Sequence, residues 1–352
     1  MQDLLIYTVK GISYYAVKAR ELGIVDEDTS VFIIKSLFST VTNVNFDSKR
    51  MELLIKEALR KRDKIKYEFI GAYKAKFGKD FKEDIPDAAS FKINEDIESF
   101  LTKAQAIGIL SQKDENIRSL RELIIYGLKG IAAYTDHAYI LGFKEESIFR
   151  FVEEALVQTF DDALSLDELF NLVIATGEYS VKAMEILDKA NTETYGHPEP
   201  TDVFAGTIEG PAILVSGHDL KDLDELLQQT QGQGVNIYTH GEMLPALSYP
   251  YFKKFKHFVG HYGTSWWNQQ KDFDAFNGAI LMTTNCIQKP RESYRERIFT
   301  TGLVAWPDVK HIPDRHNGKQ KDFRPVIEKA LSLGGVEEKF IKKIKIGFAH
   351  NA

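Results

Sequence analysis

One stretch of this sequence occurs twice, and no other feature limits the fold as sharply. "DLLIYTVKGISYYAVKARELGI", from Asp3, lines up without gaps on "ELIIYGLKGIAAYTDHAYILGF", from Glu122. Identities fall at Leu4/Leu123, Ile6/Ile125, Tyr7/Tyr126, Lys10/Lys129, Gly11/Gly130, Ile12/Ile131, Tyr15/Tyr134, Ala19/Ala138, Leu22/Leu141 and Gly23/Gly142. Two glycines at matching places are hard to obtain from composition alone, so the chain reads as holding two related units. In the first copy Leu4, Leu5, Tyr7, Ile12, Tyr15 and Ala19 approximate the three-and-four spacing of a helix stripe, and Gly23 reads as its stop.

Helical spacing continues in "SKRMELLIKEALRKRDKIKYEFIGAYKAKFG", "EESIFRFVEEALVQTF" and "SLDELFNLVIATGEYSVKAMEILDKA". The first part is therefore predicted to be an all-helical domain over 1–195, made of two three-helix bundles at about 1–95 and 115–195. The polar "KFGKDFKEDIPDAASFKINED" between them, with Pro86, reads as a connection.

Near "NTETYGHPEPTDVFAGTIEGP" prolines and glycines end the helical pattern. Short apolar runs follow, each closed by turn residues: "AILVSG", "VNIYTH", "HFVGHYG", "GAILMTT" and finally "IKIGFA". "HDLKDLDELLQQTQGQG" reads as a helix capped by Asp219 and stopped by Gly232. Continuous apolar strands alternating with helices predict a Rossmann-like α/β domain over 200–352, its parallel sheet covered on both faces. The chain is thus predicted to be multidomain, α followed by α/β.

Composition narrows the function classes. With 43% hydrophobic and 12% aromatic residues the chain can bury substantial cores. Its 45 Lys and Arg against 51 Asp and Glu give a net charge of -6 and no long basic tract, which argues against nucleic acid as a partner. The short clusters "KKFKH" and "EKFIKKIKI" read as solvated helix faces. Charges interrupt the first apolar stretch, so it reads as neither signal peptide nor membrane span, and a cytoplasmic protein with no membrane partner is expected.

Cys286 is the only cysteine in 352 residues. An intrachain disulfide is excluded, and one thiol cannot build a cysteine-based zinc or iron–sulfur site. The predicted strands nevertheless hand over to residues that bind metals or move protons: His218, then His240 and Glu242, then His261, then Cys286. In a parallel sheet these gather at one carboxyl edge, where open α/β folds bind ligands, and imidazole, carboxylate and thiolate suit zinc, copper or iron.

Each residue also has a plainer reading. Cys286 can be inert core, His218 part of a strand-to-helix turn, and Glu242 a first-turn carboxylate of a helix. His137 reads as a surface or interface histidine. Trp266, Trp267 and Tyr262 read as packing residues sooner than as an aromatic wall. A Cys–His nucleophilic pair, Cys286 with His240 or His261, is a further reading. No glycine pattern forms a nucleotide fingerprint.

The segments "ILVSGHDLKDLDELLQQTQGQGVNIYTHGEMLPA", "FVGHYGTSWWNQQKDF", "GAILMTTNCIQKPRESYRERIFTTG" and "WPDVKHI" resemble the second domain of hybrid cluster proteins, the prismane or hydroxylamine reductase family. "DLLIYTVKGI", "DHAYILG" and "FVEEAL" resemble that family's first domain, and the repeat fits its paired bundles. The resemblance implies that His218 of "SGHD", Glu242 of "HGEM" and Cys286 of "TTNC" match ligands of the family's hybrid iron–sulfur–oxygen cluster.

Family members usually begin with a cysteine-rich segment and continue past "GFGHNA" into a third domain that supplies further ligands. This sequence opens at "MQDLLIYTVKG" and closes at "GFAHNA". The resemblance therefore carries an expectation of a truncated or degenerate relative. As a single chain it would hold no iron–sulfur cofactor, show no hydroxylamine or nitric oxide reductase activity, contain no catalytic residue, and act if at all as a binding scaffold. Its partner would be a second copy or a separate chain bearing the missing domain. The alternatives are an oxidoreductase of the hydroxylamine reductase type completed by a partner chain, and a single iron or zinc ion at His218, Glu242 and Cys286.

Overall fold

The computed structural model describes residues 1–316 and 318–348, so the closing "AHNA" lies outside the described residues. The chain divides into two compact units: Met1–Val41 with Asp47–Leu187, and Thr42–Phe46 with the chain from Asp188 onward. The first unit is helical: α1 (Gln2–Glu21), α2 (Glu27–Ser39), α3 (Ser48–Phe77), α4 (Asp87–Ser90), α5 (Ile97–Ala106), α6 (Glu115–Ile140), α7 (Glu146–Gln158) and most of α8 (Leu166–Tyr195).

The repeat persists in the fold. Gly23 and Gly142 take left-handed φ values of 81° and 88° just past α1 and α6. At both ends the same pair of bonds closes the helix: Gly23 to Arg20 and Ile24 to Ala19, both 2.9 Å, then Gly142 to Tyr139 at 2.9 Å and Phe143 to Ala138 at 3.0 Å. A side chain is strained at that φ, so glycine at both stops follows from helix termination. Helix α1 packs on α3 and α7, while α2 packs on α6. Since α6 and α7 are the counterparts of α1 and α2, each bundle lends a helix to the other, and the two interlock where the sequence suggested neighbours joined by a linker.

The second glycine pair has diverged. The predicted connection contains α4, which lies on α1 so closely that a Cβ on Gly11 would sit 2.0 Å from the Ala88 carbonyl oxygen. Tyr15 donates to the Ala89 carbonyl oxygen at 3.1 Å. Leu4 and Tyr15 are fully buried, whereas their partners Leu123 and Tyr134 are 55% and 42% exposed, and around Gly130 there is open space. Gly130→Ala is expected to stabilise the protein by about 0.5–1 kcal/mol through helix propensity, while Gly11→Ala costs about 1–3 kcal/mol by overpacking. Urea unfolding of the two variants checks the opposite signs.

The second unit is built on one sheet of eight strands: β1 (Thr201–Thr207), β2 (Ala212–Ser216), β3 (Asn236–His240), β4 (Phe258–His261), β5 (Ala279–Met282), β6 (Ile298–Thr301), β7 (Lys310–Ile312) and β8 (Lys339–Ile346). Their order is β7-β6-β5-β2-β3-β4-β1-β8. Every neighbouring pair is parallel except β1 with β8. Strands β2 and β5 are buried at every position, which is why they read as unbroken apolar runs.

"TDVFAGT", assigned to no element from the sequence, is strand β1. One sequence expectation needs correction here: the Lys-rich "EKFIKKIKI", read as a helix face, forms the exposed antiparallel edge strand β8, which includes the "IKI" of the expected apolar run "IKIGFA". Lysines on an edge strand discourage pairing with another chain. Helix α9 (Leu220–Thr230) follows β2, and Asp219 caps it by accepting the Asp222 amide at 2.9 Å. From β2 the chain runs to β3 and β4 on one side, whereas β5, β6 and β7 extend the sheet on the other. The loops part beyond the carboxyl ends of β2 and β5, the position at which such sheets hold ligands.

Candidate metal centre

His218, Glu242 and Cys286 meet at that parting. His218 follows β2, Glu242 follows β3 in the first turn of the 3-10 helix Gly241–Ser248, and Cys286 follows β5. Close approach of the β2 and β5 ends depends on Gly217, whose φ is 110° and whose added Cβ would meet Thr283 Oγ1 at 2.4 Å and Thr284 N at 2.7 Å. Thr284 Oγ1 accepts the His218 amide at 2.8 Å and lies 2.9 Å from His218 Nδ1. One hydroxyl thus fixes both backbone and ring of His218 and leaves Nε2 facing Glu242.

His218 Nε2 and Glu242 Oε2 are 2.5 Å apart, and Cys286 Sγ donates to the same oxygen at 3.8 Å. The His218 and Glu242 side chains are 33% and 53% exposed, so the trio opens to solvent on one side. Among the described residues no three of His, Cys, Asp and Glu are already spaced to hold one ion. Donors at about 2.1 Å from a shared ion stand more than about 3 Å from each other, so imidazole and carboxylate must separate before an ion can sit between them.

Cys286 is held where a spare core thiol would not be. Its φ is 75°, one of three positive values at non-glycine residues among the described residues. Backbone of this kind persists only where the surroundings impose it. Fully buried Gln269 imposes it: its Nε2 donates to the Cys286 carbonyl at 2.8 Å and its Oε1 accepts the Gln288 amide at 2.8 Å. Ile287 N also donates to Asn43 O at 3.1 Å. Burial, then the charge and hydrogen bond of Glu242, push the thiol up to about 12, so at neutral pH it keeps its proton unless a cation is near.

The other strand-end histidines are turned to structural partners. His240, fully buried, has Nδ1 at 3.1 Å from Ser216 Oγ and Nε2 at 3.3 Å from Asp272 Oδ2. Burial works against the Asp272 carboxylate, but hydrogen bonds from His240 and from the Thr264 amide and hydroxyl outweigh it and keep its pKa low. His261 Nδ1 lies 2.9 Å from Thr239 Oγ1. Both are held by these partners, and among the described residues Cys286 bonds Glu242 and neither histidine. His137 packs edge-on against Phe38, a ring-packing role. Trp267 is 62% exposed and Trp266 37%, so neither is a core residue, whereas Tyr262 is buried. Gln269 and Thr284 were missed as supports: Thr284 stands inside "TTNC", but a lone glutamine carries no signal at all.

The profile of the Prismane/CO dehydrogenase family matches residues 1–348. The hydroxylamine reductase of Halothermothrix orenii is 56% identical over 352 residues, 100% of this chain and 63% of that protein. Those of Kosmotoga olearia and Petrotoga mobilis are 58% and 55% identical, each over 99% of this chain and over 63% and 65% of their own lengths. The chain therefore spans somewhat under two thirds of the length of the curated relatives it matches. An α subunit of acetyl-CoA synthase/carbon monoxide dehydrogenase superposes with a TM-score of 0.46 at 14% identity, over 67% of this chain and 44% of its own.

Proposed function

This chain belongs to the Prismane/CO dehydrogenase family, and on that premise we propose, from its similarity to proteins named hydroxylamine reductase, that His218, Glu242 and Cys286 are its share of a cluster site for reducing hydroxylamine. The remaining ligands come from outside these 352 residues, and the 352 residues by themselves assemble no cluster. A conventional four-iron cubane takes four thiolates and does not fit a chain with one cysteine. A mixed imidazole, carboxylate and thiol set does fit part of the shell of an iron–sulfur–oxygen group. The observation that carries this reading is the convergence of His218 and Cys286 on one oxygen of Glu242, with Cys286 clamped in a left-handed backbone.

A bound cluster would supply the two electrons that, with two protons, convert hydroxylamine to ammonia and water. The chain's own contribution is placement. Thr284 orients His218, Gln269 orients Cys286, and Asp272 holds His240, which directly precedes the turn carrying Glu242. Supporting bonds of this kind tune and preorganise ligands.

Grafting these residues into the Halothermothrix orenii enzyme in place of its matching segment tests the reading. The chimera is expected to turn over hydroxylamine, and His218→Ala, Glu242→Gln and Cys286→Ser in it to lose at least about 100-fold in rate. The ungrafted chain, reconstituted anaerobically with iron and sulfide, is expected to retain neither. A folded chimera without turnover, or variants with undiminished turnover, would overturn the assignment. Stoichiometric zinc or iron on the ungrafted chain, abolished by Cys286→Ala, would favour the single-ion alternative.

A further inference from the structure

The helical unit contains a cavity of about 150 Å³ beside the first turns of α1 and the amino-terminal half of α6, and none of the readings above uses it. Its lining carries three cationic side chains, Lys10, Arg118 and Arg121, against the carboxylates Asp3 and Glu122. Two of the cations have donors to spare. Lys10 makes no hydrogen bond and no ion pair within 4.0 Å among the described residues, and Arg121 Nε is buried without an acceptor. The outer nitrogen of Arg121 is occupied, donating to the Asp161 carbonyl at 2.7 Å and to Asp162 at 2.9 Å, so the guanidinium is held in place with Nε left over.

The repeat supplies an internal comparison. Lys129, the counterpart of Lys10, donates to the Thr40 carbonyl at 3.2 Å and does not line the cavity. An ordinary lysine at this place in the bundle therefore finds a backbone acceptor, while Lys10 faces open volume instead. Burial lowers the Lys10 amine to about 8, and the pull of Glu122 and Asp3 only partly offsets burial and the like charge of Arg121. A buried donor without an acceptor is costly, and Arg121 Nε is such a donor beside a cavity that the unbonded Lys10 also lines, a pairing that suits an anion. Ile6, Ile125 and Phe160 give the wall an apolar part, beside the polar Ser111, Gln112 and Thr159. A cavity of this volume holds a molecule about the size of benzene.

We propose that this cavity binds a small monocarboxylate, its carboxylate on Lys10 Nζ and Arg121 Nε and its hydrocarbon tail against Ile6, Ile125 and Phe160. The site lies wholly within the helical unit and is independent of the cluster reading.

Calorimetric titration of the 352-residue chain with sodium butyrate, and with butanamide as its uncharged analogue, tests this. Butyrate is expected to bind saturably at one site, butanamide at least about tenfold more weakly. Lys10→Met should weaken butyrate by at least about tenfold, and Lys129→Met should leave it within about twofold. Circular dichroism checks that each variant is folded. If Lys10→Met does not fold, butyrate-induced shifts of the Lys10 ε-methylene NMR signals in the unmodified chain decide in its place. Non-saturable butyrate binding, equal affinity for butanamide, an undiminished Lys10→Met, an equal loss in Lys129→Met, or Lys10 signals that do not move would each overturn the proposal.

Discussion

Lys321→Met is expected to destabilise the α/β unit by about 3–5 kcal/mol, the usual cost of removing one partner from a buried ion pair. Lys321 and Asp222 expose 1% and 0% of their side chains, and Nζ lies 2.9 Å and 3.0 Å from the two carboxylate oxygens. Methionine preserves most of the volume, so the loss is electrostatic. Asp222 would keep only Arg315, at 2.7 Å, which also serves Glu225 at 2.8 Å. The network ties the Asp314–Lys321 segment to α9, the helix that begins two residues after His218.

The deficit has a pH signature. Burial, then the nearby Asp219, raises the Asp222 carboxyl above its ordinary range even with both cations present. A group that holds its proton more tightly when folded favours the fold in acid, and that contribution is lost as pH rises through its folded pKa. The Lys321→Met deficit should therefore be smallest near pH 5 and grow toward pH 8. Adding Asp222→Asn should recover part of it, because no uncompensated charge is then buried. Urea unfolding at the two pH values measures both effects, and a variant that loses less than about 1 kcal/mol at pH 8 would refute the network's role.

His261→Gln is expected to remove about 3 kcal/mol of acid sensitivity. His261 is 6% exposed, and burial, then the neighbouring His240, lowers its pKa from 6.5 to about 4. Between those values the unfolded chain takes up a proton that the folded chain refuses. Stability is thus fully present above pH 6.5 and falls as pH drops toward 4, by about 1.4 kcal/mol for each pH unit crossed. Glutamine can still bond Thr239 and does not titrate. Carboxylates lose stability over part of the same window in both proteins, so the difference between the two urea-unfolding profiles at pH 7.5 and pH 4.5 isolates His261. Parallel profiles would show that its folded pKa is not depressed.

Much of this was legible in one dimension. The duplicated helix announced itself through Gly23 and Gly142, because a helix stop is a local event with a local sequence rule. Unbroken apolar runs identified β2, β3 and β5 as interior strands, and the residues following them carried the donor set His218, Glu242 and Cys286. Strand β1 escaped notice because its glycine and aspartate resemble turn punctuation, and of β8 only the closing "IKI" was legible, because the rest of an exposed edge strand has no apolar signature.

Amino-acid order alone determined which chemical groups are present and where regular structure starts and stops, since both depend on neighbours a few residues apart. Tertiary structure decided what each group faces. Lys10 and Lys129 are the same residue in the same repeat, yet one lines a cavity and the other bonds a carbonyl. Gly11 and Gly130 match in sequence, but only Gly11 lies under α4. Three histidines lie at or just past strand ends of one sheet, and only His218 meets Glu242 and Cys286, because sheet order places β2 between β3 and β5 while His240 and His261 are held by Ser216, Asp272 and Thr239. Such outcomes depend on distances between segments far apart in sequence, and no local pattern encodes them.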